Sequence, residues 1–516
     1  MPIGLYVASL VQYLRMTKDK ACPPAQILLV TDSGNEFHSI PKIFLSAIIP
    51  GDAPMNQLRK TSYLFWMLVV ALILPNASAR ADKPGQGTEP NTPIEHFVVL
   101  MQENHTFDNY FGTYPGADGI PEGVCMPVDP FDATNTECIE PFHIGERASE
   151  DLDHSLGTFR SQYNEGQMNG FVYALYERNQ NGAAAMAYYD DTELPYYWNL
   201  ADEYVLFDKF FTSDHGGSFG NHVYWVAAQQ GGSRVDQQGF PDLMTIFDRL
   251  EEKGISWKFY VQNYDPTINF RTAHLITGNR GSQVIWVPLL NIPRFLDDPE
   301  LSSHIVDLNE YYVDLENETL PAVAYIVPSG ASEHPPGSVR SGQKFVKSLI
   351  QALMRSYAWD HSAFLLVYDD WGGWYDHVLP PQVDEFGYGF RVPAIMVGPY
   401  VRRAQIDSTV LDFTSILKFI EDNWELDPLT ERDASANSLA SAFDFSQEPR
   451  EAVFIPFERV VHVERIEPRR IVIYLAYGGA LVLGVLMFVW TGIGSDLRRK
   501  LVVYLRRRTR PEEPLP

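Results

Sequence analysis

Two apolar runs of strand length lie far apart in the chain, and each ends in oxygen-bearing side chains. Residues 97–102 are followed by Glu103-Asn104, and residues 363–368 are followed by Asp369-Asp370 and a glycine pair. Runs of this length and composition predict buried strands. In an open α/β sheet the ligand site lies at the carboxyl ends of such strands, so we expect both pairs to meet there. Carboxylate and amide oxygens are typical ligands of a divalent cation. A surface turn is the alternative interpretation of Asp369-Asp370.

The segments between these runs predict an α/β fold. Further strands are expected at 323–327 and 394–397, and helices at 243–253, 343–355 and 414–424. Apolar strands that alternate with helices are typical of a mostly parallel sheet with helices on both faces. No linker interrupts the chain before about Gln447, so we predict one domain over residues 80–446.

The N-terminal part predicts a secretory signal. A basic pair precedes a short apolar core at 63–74, and small residues of a cleavage pattern follow, which together indicate a signal peptide over 55–79. The core is too short to span a bilayer. Residues 1–54 are interpreted as an upstream leader, with Met55 as the true start. An internal membrane helix behind a cytoplasmic arm is the alternative.

The C-terminal part predicts a membrane anchor. Residues 447–470 are charged and are interpreted as a stalk, and 471–493 form an uncharged apolar stretch long enough to span a bilayer. The basic tail, 494–516, is expected in the cytoplasm because positive charge favours that side. A buried core helix is the alternative for the apolar stretch. The prediction is an exported domain tethered to a membrane at its C-terminus.

Charge and cysteine content narrow the possible partners. The net charge of −26 argues against nucleic acid. An anionic substrate would therefore need local cations or a metal ion. Of the three cysteines, Cys125 and Cys138 lie close enough in sequence to form one disulfide, whereas Cys22 lies in the leader.

Four polar segments could carry chemistry beside the strand ends. Ser218 lies among glycines in the segment 213–222 and could be an exposed nucleophile, although a glycine-serine turn is the alternative. The formal match to a hydrolase nucleophile elbow is set aside, because a polar stretch precedes Ser218 and the glycines continue beyond it. Histidines at His154, His334 and His377 could neutralise a phosphate and protonate a leaving group. A structural role is the alternative for each histidine.

Several ordered motifs resemble one known family. The run from Glu103 to Gly112, Glu-Asn-His-Thr-Phe-Asp-Asn-Tyr-Phe-Gly, is similar to the Glu-Asn-Arg-Ser-Phe-Asp-His-Tyr-Phe-Gly signature of the bacterial phosphoesterase family. That family includes non-haemolytic phospholipases C and an acid phosphatase. Further similarities lie at 216–222, 334–342, 369–378 and 389–394, so the resemblance extends from about Ile94 to about Leu426.

The resemblance implies an alkaline-phosphatase-like fold with a central sheet between helices and one divalent metal ion, whose identity stays open. It implies a nucleophilic hydroxyl on Ser218, phosphate contacts from His154 and His334, and an acid at Glu103. The implied metal ligands are Asn104, Ser218, Asp369 and Asp370. The sequence departs from the family where Asp370 replaces Glu and Ser218 replaces Thr. It also departs where His222 replaces a frequent Arg, and where Gly217 and Gly220 replace two prolines.

The implied activity is metal-dependent hydrolysis of phosphate esters through a phosphoserine intermediate. A phospholipase C acting on phosphodiesters such as phospholipids is the first expectation, and an acid phosphatase acting on monoesters is the alternative. An alternative of another class is a non-catalytic protein that binds an envelope glycolipid on the same fold.

Overall fold

The computed structural model describes residues 89–145, 149–231, 238–329, 332–460, 470–492 and 494–508. The predicted leader at 1–54 and the predicted signal peptide at 55–79 lie outside the described residues. So do part of the predicted stalk, 461–469, and the end of the basic tail.

Eight strands form a central sheet. In chain order the strands are β1 His96–Gln102, β2 Val205–Phe207, β3 Trp257–Val261, β4 Ile305–Asp307, β5 Val323–Val327, β6 Ser362–Tyr368, β7 Ala394–Val397 and β8 Gln405–Asp407. Their order across the sheet is β8-β2-β7-β6-β1-β5-β3-β4. Only β7 runs antiparallel to both of its neighbours, so the sheet is mostly parallel.

The two strands with polar ends are neighbours at the centre of this sheet. β1 and β6 pair in parallel over seven residues, from His96 opposite Ser362 to Gln102 opposite Tyr368. All residues of β6 and all but the first of β1 are buried, as expected for apolar strands covered on both faces. Their carboxyl ends therefore lie side by side at one edge.

The helices and small sheets connect these strands. The helices in chain order are α1 Phe107–Phe111, α2 Leu156–Tyr163, α3 Phe171–Tyr176, α4 Pro195–Glu203, α5 Ser218–Ala227, α6 Ile246–Lys253, α7 Gln283–Trp286, α8 Arg294–Asp297, α9 Pro299–Ser302, α10 Asn309–Glu316, α11 Val339–Arg355, α12 Phe413–Trp424, α13 Glu431–Ser435, α14 Arg470–Gly492 and α15 Ser495–Arg508. Short 3-10 helices occupy Asn164–Gly166, Gly182–Met186, Ala273–Leu275, Asn279–Ser282, Pro288–Asn291, Tyr357–His361 and Leu439–Ala442. Two-stranded sheets join Met126–Pro127 to Cys138–Ile139 and Phe142–His143 to Ala187–Tyr188.

Aromatic contacts show that helices cover both faces of the sheet. On one face, Tyr325 of β5 stacks on Trp225 of α5 at 4.2 Å between ring centroids. On the other face, Tyr260 of β3 meets Tyr311 of α10 at 5.6 Å. Because side chains alternate along a strand, these two sets of contacts lie on opposite sides. The predicted α/β layering is confirmed.

The structure differs from the sequence prediction in three respects. The helix predicted at 343–355 begins earlier, at Val339, and the helix predicted at 243–253 begins later, at Ile246. The three-residue strands β2, β4 and β8 were not predicted, because they are too short to show an alternating pattern. The strand predicted at 394–397 is β7, and its antiparallel direction is not encoded in local periodicity.

Cys125 and Cys138 form a disulfide with a Cα separation of 5.3 Å. The bridge lies beside the small sheet of Met126–Pro127 and Cys138–Ile139, which pairs the same two chain segments. It closes a short loop between α1 and α2. The expected pairing is therefore present in the structure.

The chain after the predicted domain continues along its surface as far as residue 460. Arg450 donates to Glu203 at 2.9 Å, and Arg459 donates to Asp191 at 3.1 Å. The ring of Phe457 stacks on Tyr196 at 6.3 Å between centroids. This first part of the predicted stalk is therefore packed on α4 and its neighbours.

The membrane span predicted at 471–493 finds no support in a test of length and hydropathy. Among the described residues, no single helix meets that test. The segments Tyr477–Gly492 and Ser495–Arg506 meet it only as a pair, with a bend of 119° between them.

Candidate active site

The polar ends of β1 and β6 are in direct contact. The backbone N–H of Asp369 donates to the carbonyl of Gln102 at 3.0 Å, which continues the parallel ladder by one residue. The backbone N–H of Asn104 donates to Asp369 Oδ1 at 3.2 Å. The structure thus brings Glu103 and Asn104 next to Asp369 and Asp370, all of them buried.

Unusual backbone conformations make this close approach possible. Asn104 has a φ of 68°, a left-handed conformation that asparagine tolerates better than most residues. Gly372 has a φ of 59°, and a Cβ placed there would lie 2.2 Å from the carbonyl oxygen of Asn104. The glycine after the aspartate pair is therefore required for the turn to lie against the end of β1.

Ser218 is the first residue of helix α5, directly after Gly217 at the N-cap. The alternative of a glycine-serine turn is therefore wrong, because the helix already includes Gly220 and Asn221, although the sequence predicted no helix directly after Ser218. The Ser218 hydroxyl donates to Asp370 Oδ2 at 3.1 Å. A helix N-terminus also presents free backbone N–H groups, which favour a bound anion beside this hydroxyl.

The two predicted phosphate-contacting histidines lie together at the same site. Nδ1 of His154 donates to the carbonyl of Leu152 at 2.7 Å, because a carbonyl can only accept, and Nε2 lies 3.1 Å from Asn104 Nδ2. Nδ1 of His334 donates to the carbonyl of Pro335 at 2.7 Å. The two rings are 5.8 Å apart between centroids. In both rings the backbone bond orients Nδ1, and Nε2 of His154 lies against the amide of Asn104 at the end of β1.

The three buried carboxylates have strongly perturbed acidities; we call Glu103, Asp369 and Asp370 the strand-end cluster. Burial, followed by the charge of Asp369, raises the pKa of Asp370 to about 7. Burial and the two aspartates hold the pKa of Glu103 well above its usual range. Burial also acts to raise the pKa of Asp369, but the nearby imidazole of His222, 3.6 Å away, outweighs it, so that the pKa of Asp369 lies below the usual value. A negative charge on one carboxylate therefore raises the pKa of the carboxyl groups beside it.

His154 responds to the same negative charge. Burial acts to lower its pKa, but the charge of Asp370 and the bond to the Leu152 carbonyl raise it above the usual value. The imidazole beside the strand-end cluster therefore holds a proton more readily than a free histidine does. This suits a proton donor at the site.

The arrangement of unpaired atoms fits a bound cation. Glu103 Oε2, Asn104 Oδ1 and Asp369 Oδ2 are buried without a hydrogen-bond partner. Buried polar atoms are normally satisfied, and a carboxylate left alone in the interior is costly. One ligand atom from each of Glu103, His222 and Asp369 lies within 4.8 Å of the others. The residues present therefore suit a divalent metal ion.

A cavity of about 1030 Å³ opens over the site. Glu103, His154, Ser218 and His334 all line it, together with apolar side chains that include Phe219 and Trp286. Among the described residues that line it there is no lysine or arginine. Positive charge for an anionic substrate would thus come from a histidine or a metal ion.

One buried residue beside His334 was missed from the sequence. Glu333 accepts hydrogen bonds from the hydroxyls of Tyr110, Tyr197 and Tyr368, each at 2.6 Å. Burial raises the pKa of Glu333 to about 7, although the three donors act to lower it. We call these four residues the tyrosine cage. It fixes the loop that carries His334, and no local pattern predicts it, because the three tyrosines come from distant segments.

The fourth sequence candidate, His377, belongs to a separate group. His377 Nδ1 lies 2.7 Å from Asp108 Oδ2, and the buried guanidinium of Arg391 contacts Asp108 at 3.1 Å and Asp376 at 2.8 Å. We call Asp108, Asp376, His377 and Arg391 the ion-pair cluster. Its charges are paired within it, which indicates a structural role.

Comparison with known proteins agrees with this geometry. Residues 94–427 match the Phosphoesterase family. Phospholipase C B of Mycobacterium tuberculosis is 27% identical over 453 residues, which cover 74% of this chain and 83% of that protein. Non-specific phospholipase C1 of Arabidopsis thaliana is 28% identical and covers 70% of this chain and 72% of its own length.

A solved structure overlaps more loosely. A protein of the alkaline phosphatase superfamily from Vibrio parahaemolyticus gives a TM-score of 0.32 at 12% identity, over 68% of this chain and 72% of that one. This overlap is too slight to carry an argument about the fold. The family match covers well over half of the chain and includes both polar strand ends and Ser218. The chain therefore belongs to the phosphoesterase family and is a hydrolase of phosphate esters.

Proposed function

We propose that this protein is a phospholipase C-type phosphodiesterase that forms a phosphoserine on Ser218. The observation that carries the proposal is the hydrogen bond from the Ser218 hydroxyl to Asp370, at the first residue of a helix that lines the cavity. The Asp370 carboxylate accepts this hydrogen bond through Oδ2, so it is positioned to take the hydroxyl proton. The names of the similar proteins support a phospholipid substrate.

In the first step, Ser218 Oγ attacks phosphorus and its proton passes to Asp370 Oδ2. The bond from phosphorus to the leaving alcohol breaks, and His154 or His334 supplies a proton to the departing oxygen. The N–H groups at the start of α5 hold the phosphate oxygens. In the second step, water attacks the phosphoserine and the same groups act in reverse.

Asn104, Ser218, Asp369 and Asp370 would hold the metal ion, with Glu103 beside them. When bound, such an ion lowers the pKa of a hydroxyl and neutralises charge on phosphate oxygens. The unpaired buried oxygens of Asn104 and Asp369 support this ligand set. Oxygen ligands suit calcium, magnesium or manganese.

The proposed phosphodiesterase and its two alternatives differ in the substrate that each would hydrolyse. The cavity has room for a substituent on phosphate, and Phe219 and Trp286 give it an apolar wall, which supports a diester with a lipid leaving group. An acid phosphatase would act on the monoester instead. A glycolipid-binding protein would turn over neither.

The deciding experiment assays the purified protein with added divalent metal on p-nitrophenylphosphorylcholine and on p-nitrophenyl phosphate. We expect faster release from the diester. Acid quench followed by peptide mass spectrometry should find phosphate on Ser218. Ser218→Ala should lose turnover by at least about 10³-fold. Ser282→Ala, which alters another serine lining the cavity, should remain active.

Three outcomes would contradict the proposal. Faster hydrolysis of the monoester would favour the acid phosphatase, and no hydrolysis of either compound by folded protein would favour the glycolipid binder. Near-normal turnover by Ser218→Ala would mean that water attacks phosphorus directly.

We also propose that the domain is exported. The disulfide between Cys125 and Cys138 supports an oxidising compartment. The anchor at 471–493 stays a prediction from composition alone. A reporter fused near Gln447 should be found outside the cytoplasm, and one fused after Arg510 should be found inside it. The reverse pattern would contradict both predictions.

A further inference from the structure

We propose that His222 is a nitrogen ligand of the metal ion, so that the site favours transition metals over calcium and magnesium. The proposal rests on the metal-dependent function above and specifies its ligand set. Neither the motif similarity nor the spacing of the acidic residues points to this histidine. The resemblance places an arginine at its position, and arginine cannot bind a metal ion.

The helix places His222 on the side that faces the strand ends. His222 lies four residues after Ser218 in α5, and residues at this spacing share one face of a helix. Ser218 already contacts Asp370 from that face. His222 Nε2 correspondingly lies 3.6 Å from Asp369 Oδ2. Ser218 and His222, on one face of α5, thus lie against the two aspartates at the end of β6.

The surroundings of His222 lack the contacts of an ordinary core histidine. Its side chain is 1% exposed, and neither ring nitrogen has a hydrogen-bond partner among the described residues. A structural histidine normally donates from one nitrogen to a carbonyl or a carboxylate. Here Asp369 Oδ2 and Glu103 Oε2 are likewise unpaired and buried. Three unsatisfied ligand atoms that converge within 4.8 Å are explained together by one cation.

A nitrogen ligand changes which metal the site prefers. Sites built from oxygen alone suit calcium and magnesium, whereas imidazole suits zinc, iron and other transition metals. Arginine at this position would instead add a fixed positive charge. Histidine in place of arginine therefore provides a metal ligand where a fixed positive charge would otherwise repel the metal ion.

The test uses the full-length protein freed of metal and then loaded with Mn²⁺. Pulsed electron paramagnetic resonance should detect a directly coordinated ¹⁴N nucleus. His222→Asn should lose this coupling, and the matched control His154→Gln, which changes the neighbouring imidazole, should retain it. By competition titration, His222→Asn should bind Zn²⁺ about 10- to 100-fold more weakly, with Mg²⁺ affinity changed less than about twofold.

Each other outcome has a definite meaning. An unchanged nitrogen coupling in His222→Asn, or an equal loss of Zn²⁺ and Mg²⁺ affinity, would overturn the role of His222 while the phosphoesterase proposal stands. Failure of the wild-type protein to bind any divalent metal would overturn both. If His222→Asn does not fold, wild-type protein with ¹⁵N-labelled histidine serves instead. Its Mn²⁺ signal should change from ¹⁴N to ¹⁵N coupling, and absence of nitrogen coupling would overturn the proposal.

Discussion

The protein buries two acidic groups that differ in how their charge is balanced. In the ion-pair cluster, the guanidinium of Arg391 contacts both Asp108 and Asp376, and His377 lies against Asp108. In the strand-end cluster, three carboxylates lie together and no lysine or arginine contacts them among the described residues. The first group is complete within the fold, whereas the second requires protons or a cation from outside.

The difference teaches how to separate a structural acidic cluster from a functional one. Both groups contain buried carboxylates that lie close together. In each group a histidine lies against one carboxylate, His222 against Asp369 and His377 against Asp108. Burial alone therefore does not distinguish them. The strand-end cluster differs in having buried carboxylate oxygens without a hydrogen-bond partner. Natural proteins leave such atoms unpaired mainly where a bound ligand or metal ion contacts them.

The largest effect is expected from Asp369→Asn in the strand-end cluster. Loss of this carboxylate should remove bound metal and lower kcat by at least about 10³-fold, because the phosphate charge is no longer neutralised. The metal-free variant should unfold at a lower temperature than the metal-free wild type, because His222 favours the charged form of Asp369 in the folded protein. Elemental analysis and calorimetry would measure both. Normal metal content and turnover would refute the site.

The same chemical change in the ion-pair cluster should lower stability without removing bound metal. Asp376→Asn removes one partner of the buried Arg391, so the free energy of unfolding should fall by about 3–5 kcal/mol. Metal content should stay at the wild-type level in the folded fraction. Urea denaturation would measure the loss. A stability change as small as that of a surface substitution would contradict the structural role.

The tyrosine cage offers an intermediate case, because its carboxylate is satisfied by neutral donors. Tyr197→Phe removes one of three hydrogen bonds to Glu333 and should cost about 1.5–3 kcal/mol of stability. It should also lower kcat more than it raises KM, since His334 adjoins Glu333. Tyr196→Phe is the matched control on the same helix. An equal effect of both variants would argue against a specific role for the cage.

A smaller effect should appear when pH is varied. Because burial and Asp369 raise the pKa of Asp370 to about 7, the metal-free protein keeps this proton at lower pH. Metal must displace the proton, so its affinity should fall about tenfold for each pH unit below 7. Calorimetry in buffers of different ionisation enthalpy would count the protons released. Asp370→Asn should weaken this dependence, and a pH-independent affinity in the wild type would contradict the shifted pKa.

The sequence predicted those parts of the site that follow from local pattern. The apolar runs before Glu103 and Asp369 predicted two buried strands, and their polar ends predicted the edge where the strands meet. The polar segments around Ser218, His154 and His334 made these residues candidates, the resemblance gave them roles, and the structure brings them to one cavity. The roles of these residues stay predictions until variants are measured.

Other parts depend on contacts that no local pattern encodes. Glu333 is surrounded by tyrosines from α1, α4 and β6, which are neighbours only after the chain has folded. The helix that begins at Ser218 was hidden by its glycines, since glycine is unfavourable inside helices. The position of His222 four residues later became interpretable only once that helix was known.

The parallel register of β1 and β6 has a consequence for how this protein can change in length. The pairing of Gln102 with Tyr368 sets the distance between the two ligand pairs. A deletion of one residue in either strand would shift its pair by about 3.3 Å and turn alternate side chains to the opposite face. We therefore expect insertions and deletions to be tolerated in the loops but not in these two strands, whose lengths determine where the metal-ligand side chains lie.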